Sequence, residues 1–482
     1  MTKIIMRIAR QILAVLVTLS ALQFSTLGAQ GTSSVSLRER YQPVADRLIK
    51  AALADSSAWD RLALLTDRFG HRMAGSQALE NAIDWTIAEM KRDGLQNVRG
   101  EPVTVSHWVR GAESATLLKP RQQRLHMIGL GLSVGTPAGG ITAPVLVVKN
   151  FDDLRAHAAE ARGKIVLFNV PFASGDPFAG YGNAVVYRGR GAIEAAKVGA
   201  VASLIRSVSS GSMQNPHTGV MRYDSAVNRI PAAALSVEDA EMLARMQSRG
   251  EPVEINLTMG ATRLPDVTSR NVVAEIRGST KPDEVVVLGG HIDSWDVGEG
   301  AMDDGGGAVA AWQAILLMKK LGLTPKRTVR VVLWTSEETG GIGGIAYARS
   351  HATEVGRHVL AMESDNGAFK PLGYRVTGSA DAVAKIRDVA SLMSGIGATR
   401  VTTGDPETDV EPLAALGVPS IGLDVNAERY FWYHHSEADT MDKLDPRELA
   451  ECVATMAVMA YVVADMPETL VRSAPASPSG GG

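Results

Sequence analysis

Residues 285–321 read VVVLGGHIDSWDVGEGAMDDGGGAVAAWQAILLMKKL, and their order decides the fold. VVVLGG is a short, apolar, β-branched run of the kind that forms a strand buried on both faces. GGGAVAAWQAILLMKKL, at 305–321, has helical spacing. A strand, a polar loop and a helix in that order form the repeating unit of a parallel α/β sheet. The unit recurs downstream. VRVVLWT (329–335), HVLAME (358–363) and PSIGLDV (419–425) read as further strands. SADAVAKIRDVASLM (379–393) and the stretch from Pro446 to Ala464 read as helices. The fold class is therefore α/β, a mostly parallel sheet flanked by helices.

Upstream the texture changes twice. From Gln42 to Leu95 the apolar spacing is helical, with Gly94 as a stop signal after LENAIDWTIAEMKRD. Between 125 and 260, short β-rich runs (APVLVV, GKIVLFNV, AVASLI) alternate with Gly, Pro and Ser clusters and one helix-like segment, GAIEAAKVGA. His126, His157 and His217 lie far apart there, so no chemistry gathers in it. This stretch is expected to be an inserted β-rich module, with 30–124 and 261–468 forming the main domain around it. Residues 30–43 read as a flexible leader and 469–482, ending in SAPASPSGGG, as a disordered tail.

The chain has 482 residues, with 49 Lys and Arg against 52 Asp and Glu, and aromatics make up 5%. That balance excludes a phosphate-binding basic surface or a base-stacking one, so no nucleic-acid partner is expected. At 45% hydrophobic and 21% charged, it reads as a soluble globular protein. Residues 1–29 carry Lys3, Arg7 and Arg10, then an apolar run from Ile12 to Leu22 and small residues up to Leu27-Gly28-Ala29. This is the layout of a secretory signal peptide. Its apolar core is shorter than the roughly 20 residues of a membrane span, so stable membrane insertion is not expected. The protein is expected to be exported, to a periplasm or beyond. Cys452, the single cysteine, cannot form an internal disulfide and reads as buried helix filler.

In parallel α/β sheets, ligands collect where strands end. The residues just past each strand are therefore informative. His291 and Asp293 come after the first, Glu337 and Glu338 after the second, Asp365 after the third, and His434-His435 after the last. Asp303 lies in the loop before three glycines, which permit unusual backbone angles and close approach. Two imidazoles and three carboxylates give the mixed nitrogen and oxygen donors that Zn²⁺ accepts. Two cations about 3.5–4 Å apart need a shared anion between them. Asp303 is expected to bridge, with His291 and Asp365 on one ion and Glu338 and His435 on the other. Glu337 is the expected general base, and Asp293 is expected to orient His291, since alternate residues of an extended segment share a side.

GGHIDSWDVGEGAMDDGGGA, LWTSEETGG, MESDNG and YHHSEADT resemble the co-catalytic di-zinc exopeptidases, most of all their carboxypeptidase Q (plasma glutamate carboxypeptidase) branch. The resemblance spans roughly residues 45–465. It implies a zinc exopeptidase fold, two Zn²⁺ per chain, peptide substrates and a homodimer. It also implies that 125–260 is a protease-associated domain. The ligands it implies are His291, Asp303, Glu338, Asp365 and His435, with Glu337 as base and Asp293 supporting His291. The pattern HSEADT selects His435 over His434. Stabilisation of the oxyanion falls to either His434 or Tyr433. TDVEPLAALGVPSIGL resembles a substrate-side segment, which places Asp409 at the pocket.

The expected function is a secreted di-zinc exopeptidase for dipeptides or short peptides. An aminopeptidase of the same family and a catalytically silent binding protein on the same fold are the alternatives. Silent relatives lose ligands or the base, and this chain keeps them. Related amidohydrolases place a large insertion after the Glu-Glu pair, whereas here only 27 positions separate Glu338 from Asp365.

Overall fold

The computed structural model describes residues 36–475; the expected signal peptide at 1–29 lies outside them. Helices Leu37–Leu53, Ser57–Phe69 and Gln77–Arg92 come first, followed by strand β1 (Gln96–Val109). The chain then leaves for a second sheet built from β2 (Glu113–Lys119), β3 (Gln123–Leu125), β4 (Met127–Gly129), β5 (Ile141–Val148), β6 (Ile165–Phe168), β7 (Ala202–Arg206), β8 (Ala232–Leu235) and β9 (Glu254–Met259). It returns through β10 (Thr262–Ile276), β11 (Lys281–His291), β12 (Arg327–Trp334), β13 (His358–Glu363), β14 (Pro371–Thr377), β15 (Arg400–Thr403) and β16 (Ser420–Val425). The first sheet runs β1-β10-β12-β11-β13-β16-β14-β15.

Its centre is parallel: β12, β11, β13 and β16 all point the same way. The flanks are not. β10 joins β12 antiparallel, and β14 joins β16 antiparallel. The strictly parallel part is thus the four strands that precede the candidate ligands. Residues along β11 alternate between two cores, Val286 and Leu288 facing one and Val285 and Val287 the other. Helices Gly306–Lys320 and Pro446–Asp465 cover the first face. Helix Ile342–Ser350 contacts β1 and β10 and places Tyr347 in the second core. Both faces are therefore dry, which explains the unbroken apolar runs in the sequence.

The second sheet runs β3-β2-β9-β5-β6-β7-β8-β4. It begins at Glu113 rather than near 125, because β2 pairs with β9. It also carries more helix than the sequence suggested. Besides Pro177–Lys197 there is Val237–Ser248, started by the Ser236 side chain, which accepts from the N–H of Asp239.

Two expected flexible ends are ordered where they are described. The leader expected at 30–43 is helical from Leu37. Ser36 and Glu39 form a reciprocal capping box there, satisfying N–H groups the first turn would leave open. The tail expected from 469 is docked at its start. Leu470 is buried and Arg472 donates to the carbonyls of Val355, His358 and Leu416. Arg327, fully buried, donates to the carbonyls of Val463, Met466 and Glu468 and so caps the last helix and the turn beyond it. Residues 476–482 lie outside the described part. Leu470→Ala is expected to cost about 2 kcal/mol, in line with truncation of a buried leucine. Urea unfolding checks this, and an unchanged midpoint would show that the segment contributes nothing.

Candidate active site

The four parallel strands end at one edge, and their loops meet there. His291 is the last residue of β11, and its Nε2 lies 3.2 Å from Asp303 Oδ1 and 3.2 Å from Asp365 Oδ1. His435 Nε2 lies 3.3 Å from Asp303 Oδ2 and 3.0 Å from Glu338 Oε2. Asp303 therefore faces both imidazoles, one with each oxygen. Donor atoms of His291, Asp303 and Asp365 lie within 4.8 Å of one another, as do those of Asp303, His434 and His435. His434 stacks on His435 with ring centroids 3.5 Å apart and sits 3.6 Å from Asp303. Glu337 Oε2 is 4.0 Å from His291 Nε2, beside the first of these groups.

Backbone geometry brings these side chains in. The Asp439 carboxylate accepts from the N–H groups of Met302 and Asp303, at 2.7 and 3.1 Å. Asp304 accepts from the N–H groups of His291 and Gly307, tying the end of β11 to the start of the next helix. The glycines here serve close approach and not unusual angles: Gly305 and Gly306 have helical φ values of −53° and −64°. A Cβ on Gly307 would fall 2.0 Å from the Ser364 carbonyl oxygen. Arg72 is wholly buried and gives its guanidinium to the carbonyls of Gly70, Ile292, Glu299 and Gly300, so it fixes the loop between His291 and Asp303.

Asp293 acts differently from the expectation. The His291 ring meets the backbone carbonyl of Asp293 at 3.0 Å, while the Asp293 carboxylate stands 3.7 Å from the ring and accepts from the N–H of Glu337. It orients the imidazole through its main chain and the Glu337 loop through its side chain. Tyr433 does not line the cavity in front of the cluster; its ring lies over Lys443. Asp409 is not in the lining either. It is buried behind the wall, accepting from the N–H of Gly344. The cavity, of about 560 Å³, is lined by Tyr181, Arg188, Glu337, Asp365, Arg375 and His434, among others. Tyr181 and Arg188 come from helix Pro177–Lys197, between strands of the second sheet. Arg72, Arg188 and Asp439 were missed in the sequence. Asp439 stood inside the HSEADT motif, but Arg72 and Arg188 carry no local signal.

The donor set fits divalent cations. Asp303 Oδ2, Glu338 Oε1 and Asp365 Oδ1 are buried without a hydrogen-bond partner, which in a dry site calls for a positive partner. Imidazole and carboxylate together are a set that zinc accepts. Burial, with Asp365 and other carboxylates nearby, pushes Glu337 and Asp304 well above the usual carboxyl range. Burial and Asp303 push Asp439 up to about 7. Burial alone would raise Asp303, but the imidazoles of His291 and His435 close beside it outweigh that and hold it well below that range.

These shifts set the pH response of the protein stripped of cations. From about pH 6.5 to 8 the buried neutral His217 and His434, which favour the folded state as unfolded histidine loses its proton, are offset by His291 and His435, whose neighbouring carboxylates keep them protonated. The raised carboxyls still hold protons in the folded state that the unfolded chain has released, so stability falls as pH rises. Thermal melts of chelated protein are expected to drop from pH 6.5 to about 8, and metal loading to suppress the drop. A flat metal-free profile would contradict this assignment of protons.

Comparison with known proteins agrees with this geometry. Residues 271–460, which contain all the clustered ligands and Glu337, match Peptidase family M28. The chain is 48% identical to carboxypeptidase Q of Mus musculus over 452 residues, covering 92% of this chain and 95% of that one. A crystal structure of a Peptidase M28 precursor from Shewanella amazonensis superposes with a TM-score of 0.88 at 38% identity, covering 92% of this chain and all of that one. A zinc aminopeptidase from Bacillus subtilis, at 19% identity and a TM-score of 0.64 over 85% of this chain and 95% of that one, shares the fold. With likeness over nearly its whole described length and the metal-binding donors inside the matched region, the chain is a metallopeptidase and belongs to peptidase family M28.

Proposed function

We propose that the protein is an exported di-zinc exopeptidase that cleaves dipeptides or short peptides and reads their free carboxyl end. The observation that carries this is that each oxygen of Asp303 faces an imidazole, His291 with Asp365 beside it and His435 with Glu338 beside it, at a cavity that Glu337 also lines. In this reading His291, Asp303 and Asp365 would hold one ion, and Asp303, Glu338 and His435 would hold the other. Zinc bound there supplies Lewis acidity toward a carbonyl and lowers the pKa of water toward neutrality.

The chain's own groups do the rest. Glu337 takes the proton of the attacking water and returns it to the leaving amine. Burial that raises its pKa suits it to that exchange near neutral pH. Its main chain is held by Asp293, so the carboxylate works from a fixed position. His434, at the cavity wall beside Asp303, is the donor placed to stabilise the developing oxyanion.

Arg188 supports the polarity. Its guanidinium donates to Tyr181 Oη and the Thr218 carbonyl, its Nε is buried without a partner, and no carboxylate pairs with it among the described residues. Arg375, the other arginine of the wall, is already paired with Glu407 and Asp424. A free cation in a small cavity selects a substrate with a free carboxylate close to the scissile bond. The proposal also takes the second sheet as a protease-associated domain, residues 1–29 as a cleaved export signal, and a homodimer as the assembly. No helix among the described residues is long and apolar enough to cross a membrane.

Product analysis on one dipeptide in free, N-acetylated and C-amidated forms tests the polarity. Cleavage of the free and acetylated forms and resistance of the amidated one is expected. The reverse pattern would make it an aminopeptidase, and no turnover of any form would reject the peptide substrate. Arg188→Met is expected to raise KM for the free dipeptide roughly 10- to 100-fold, the worth of a hydrogen bond to a charged group. Glu337→Gln is expected to keep its metal and lose about 10³-fold in kcat. Loss of zinc from that variant would overturn the base assignment.

A further inference from the structure

The candidate ligands are not held alike. His291 closes β11, and Glu338 and Asp365 come soon after β12 and β13, so the parallel strands place them. His435 lies in a turn well beyond β16, at φ +60°, a left-handed conformation that histidine rarely adopts without outside support. That support comes in large part from the second sheet. The loop after β7 reaches across to the turn Phe431–Ser436. Ser209 Oγ donates to the Phe431 carbonyl at 2.8 Å, the Thr218 N–H donates to the His435 carbonyl at 2.8 Å, and Asn215 Nδ2 donates to Ser436 Oγ at 2.7 Å. The Ser436 hydroxyl in turn donates to the Tyr433 carbonyl, closing the turn on itself. On the other side, Tyr181 stacks on Phe431 with centroids 4.8 Å apart.

We infer that the loop between β7 and β8 is the positioning device for His435, with Ser209 and Asn215 as its positioning residues. The second-sheet unit thereby sets the affinity of one metal position without contributing a ligand to it. The inference rests on His435 being a metal ligand, as proposed above. It gives the excursion a task beyond covering the cavity. The unit must be docked for the second metal position to have its geometry, whereas the position built on His291 and Asp365 stands on the first sheet.

Cobalt(II) titration of the full-length metal-free protein, followed by visible absorption, tests this without recourse to turnover. Wild type is expected to take up two equivalents. Asn215→Ala and Ser209→Ala are each expected to weaken one equivalent about tenfold, as loss of a ligand's supporting hydrogen bonds does, and to change its absorption band while the other equivalent is untouched. Ser209→Thr, which keeps the hydroxyl, is expected to restore the wild-type titration. Met213→Ala, at the exposed tip of the same loop, is expected to change neither equivalent. Unaltered cobalt affinity in both alanine variants, or equal weakening of the two equivalents, would overturn the inference; should Asn215→Ala fail to fold, Ser209→Ala decides alone. Uptake of fewer than two equivalents by wild type would instead overturn the two-metal reading, and the inference with it.

Discussion

The two hydrogen bonds that the Asp439 carboxylate accepts from the N–H groups of Met302 and Asp303 fix the one side chain on which the site turns. Asp303 faces both imidazoles, one with each oxygen, so a displacement of its main chain would disturb both groups at once. Asp439 comes from the segment that carries His435, and Arg72 fastens the preceding loop from the opposite side. Three segments distant in sequence thus converge on a single carboxylate. A loop residue is here constrained as tightly as a strand residue, by main-chain hydrogen bonds in place of a ladder.

Such convergence has an electrostatic cost. Asp303, Asp304, Asp365, Glu337 and Glu338 crowd one dry region, and burial, with their repulsion added to it, raises the pKa of most of them. A fold tolerates this only if the rest of the molecule holds the strand ends rigid. The cores on both faces of the first sheet do so: β12 and β13 are buried along their whole length and β11 from Val285 onward, and helix Gly306–Lys320 is apolar almost all round. Cations that bind the folded cluster and not the unfolded chain return stability by mass action. The repulsion that penalises the empty cluster is therefore also the source of its affinity for metal.

Much of this was legible because the chemistry follows the strands. Short apolar runs ending in His291, before Glu337 and before Asp365 announce both the sheet and its functional edge, since period and position derive from the same backbone geometry. Contacts that depend on the approach of distant segments left no such trace. Arg72 sits after a helix that reads as ordinary packing, and its partners are backbone carbonyls, which any sequence would offer. Arg188 lies in the helix ahead of GAIEAAKVGA, the one stretch of it that reads as helical in the sequence. Asp293 was placed by the rule that alternate strand residues share a side, but the strand ends at His291. Past that point the chain turns, and its carbonyl reaches the ring instead of its carboxylate. Ser36 with Glu39 was readable as a capping signature, and polar composition around it masked the helix.

The two sides of the cluster consequently differ in kind. His291 and Asp365 stand on neighbouring parallel strands whose spacing is set by backbone hydrogen bonds, so their separation changes only if the sheet does. Glu338 shares that footing through β12, but its partner His435 hangs on a turn stabilised by contacts from another sheet. Strand ladders resist displacement cooperatively, while a turn held by a few side-chain hydrogen bonds gives way one bond at a time. Any relative movement of the two sheets is therefore transmitted first to the His435 side. The same movement would carry Arg188 with it, because helix Pro177–Lys197 belongs to the second-sheet unit, so the placement of His435 and that of Arg188 are mechanically one variable.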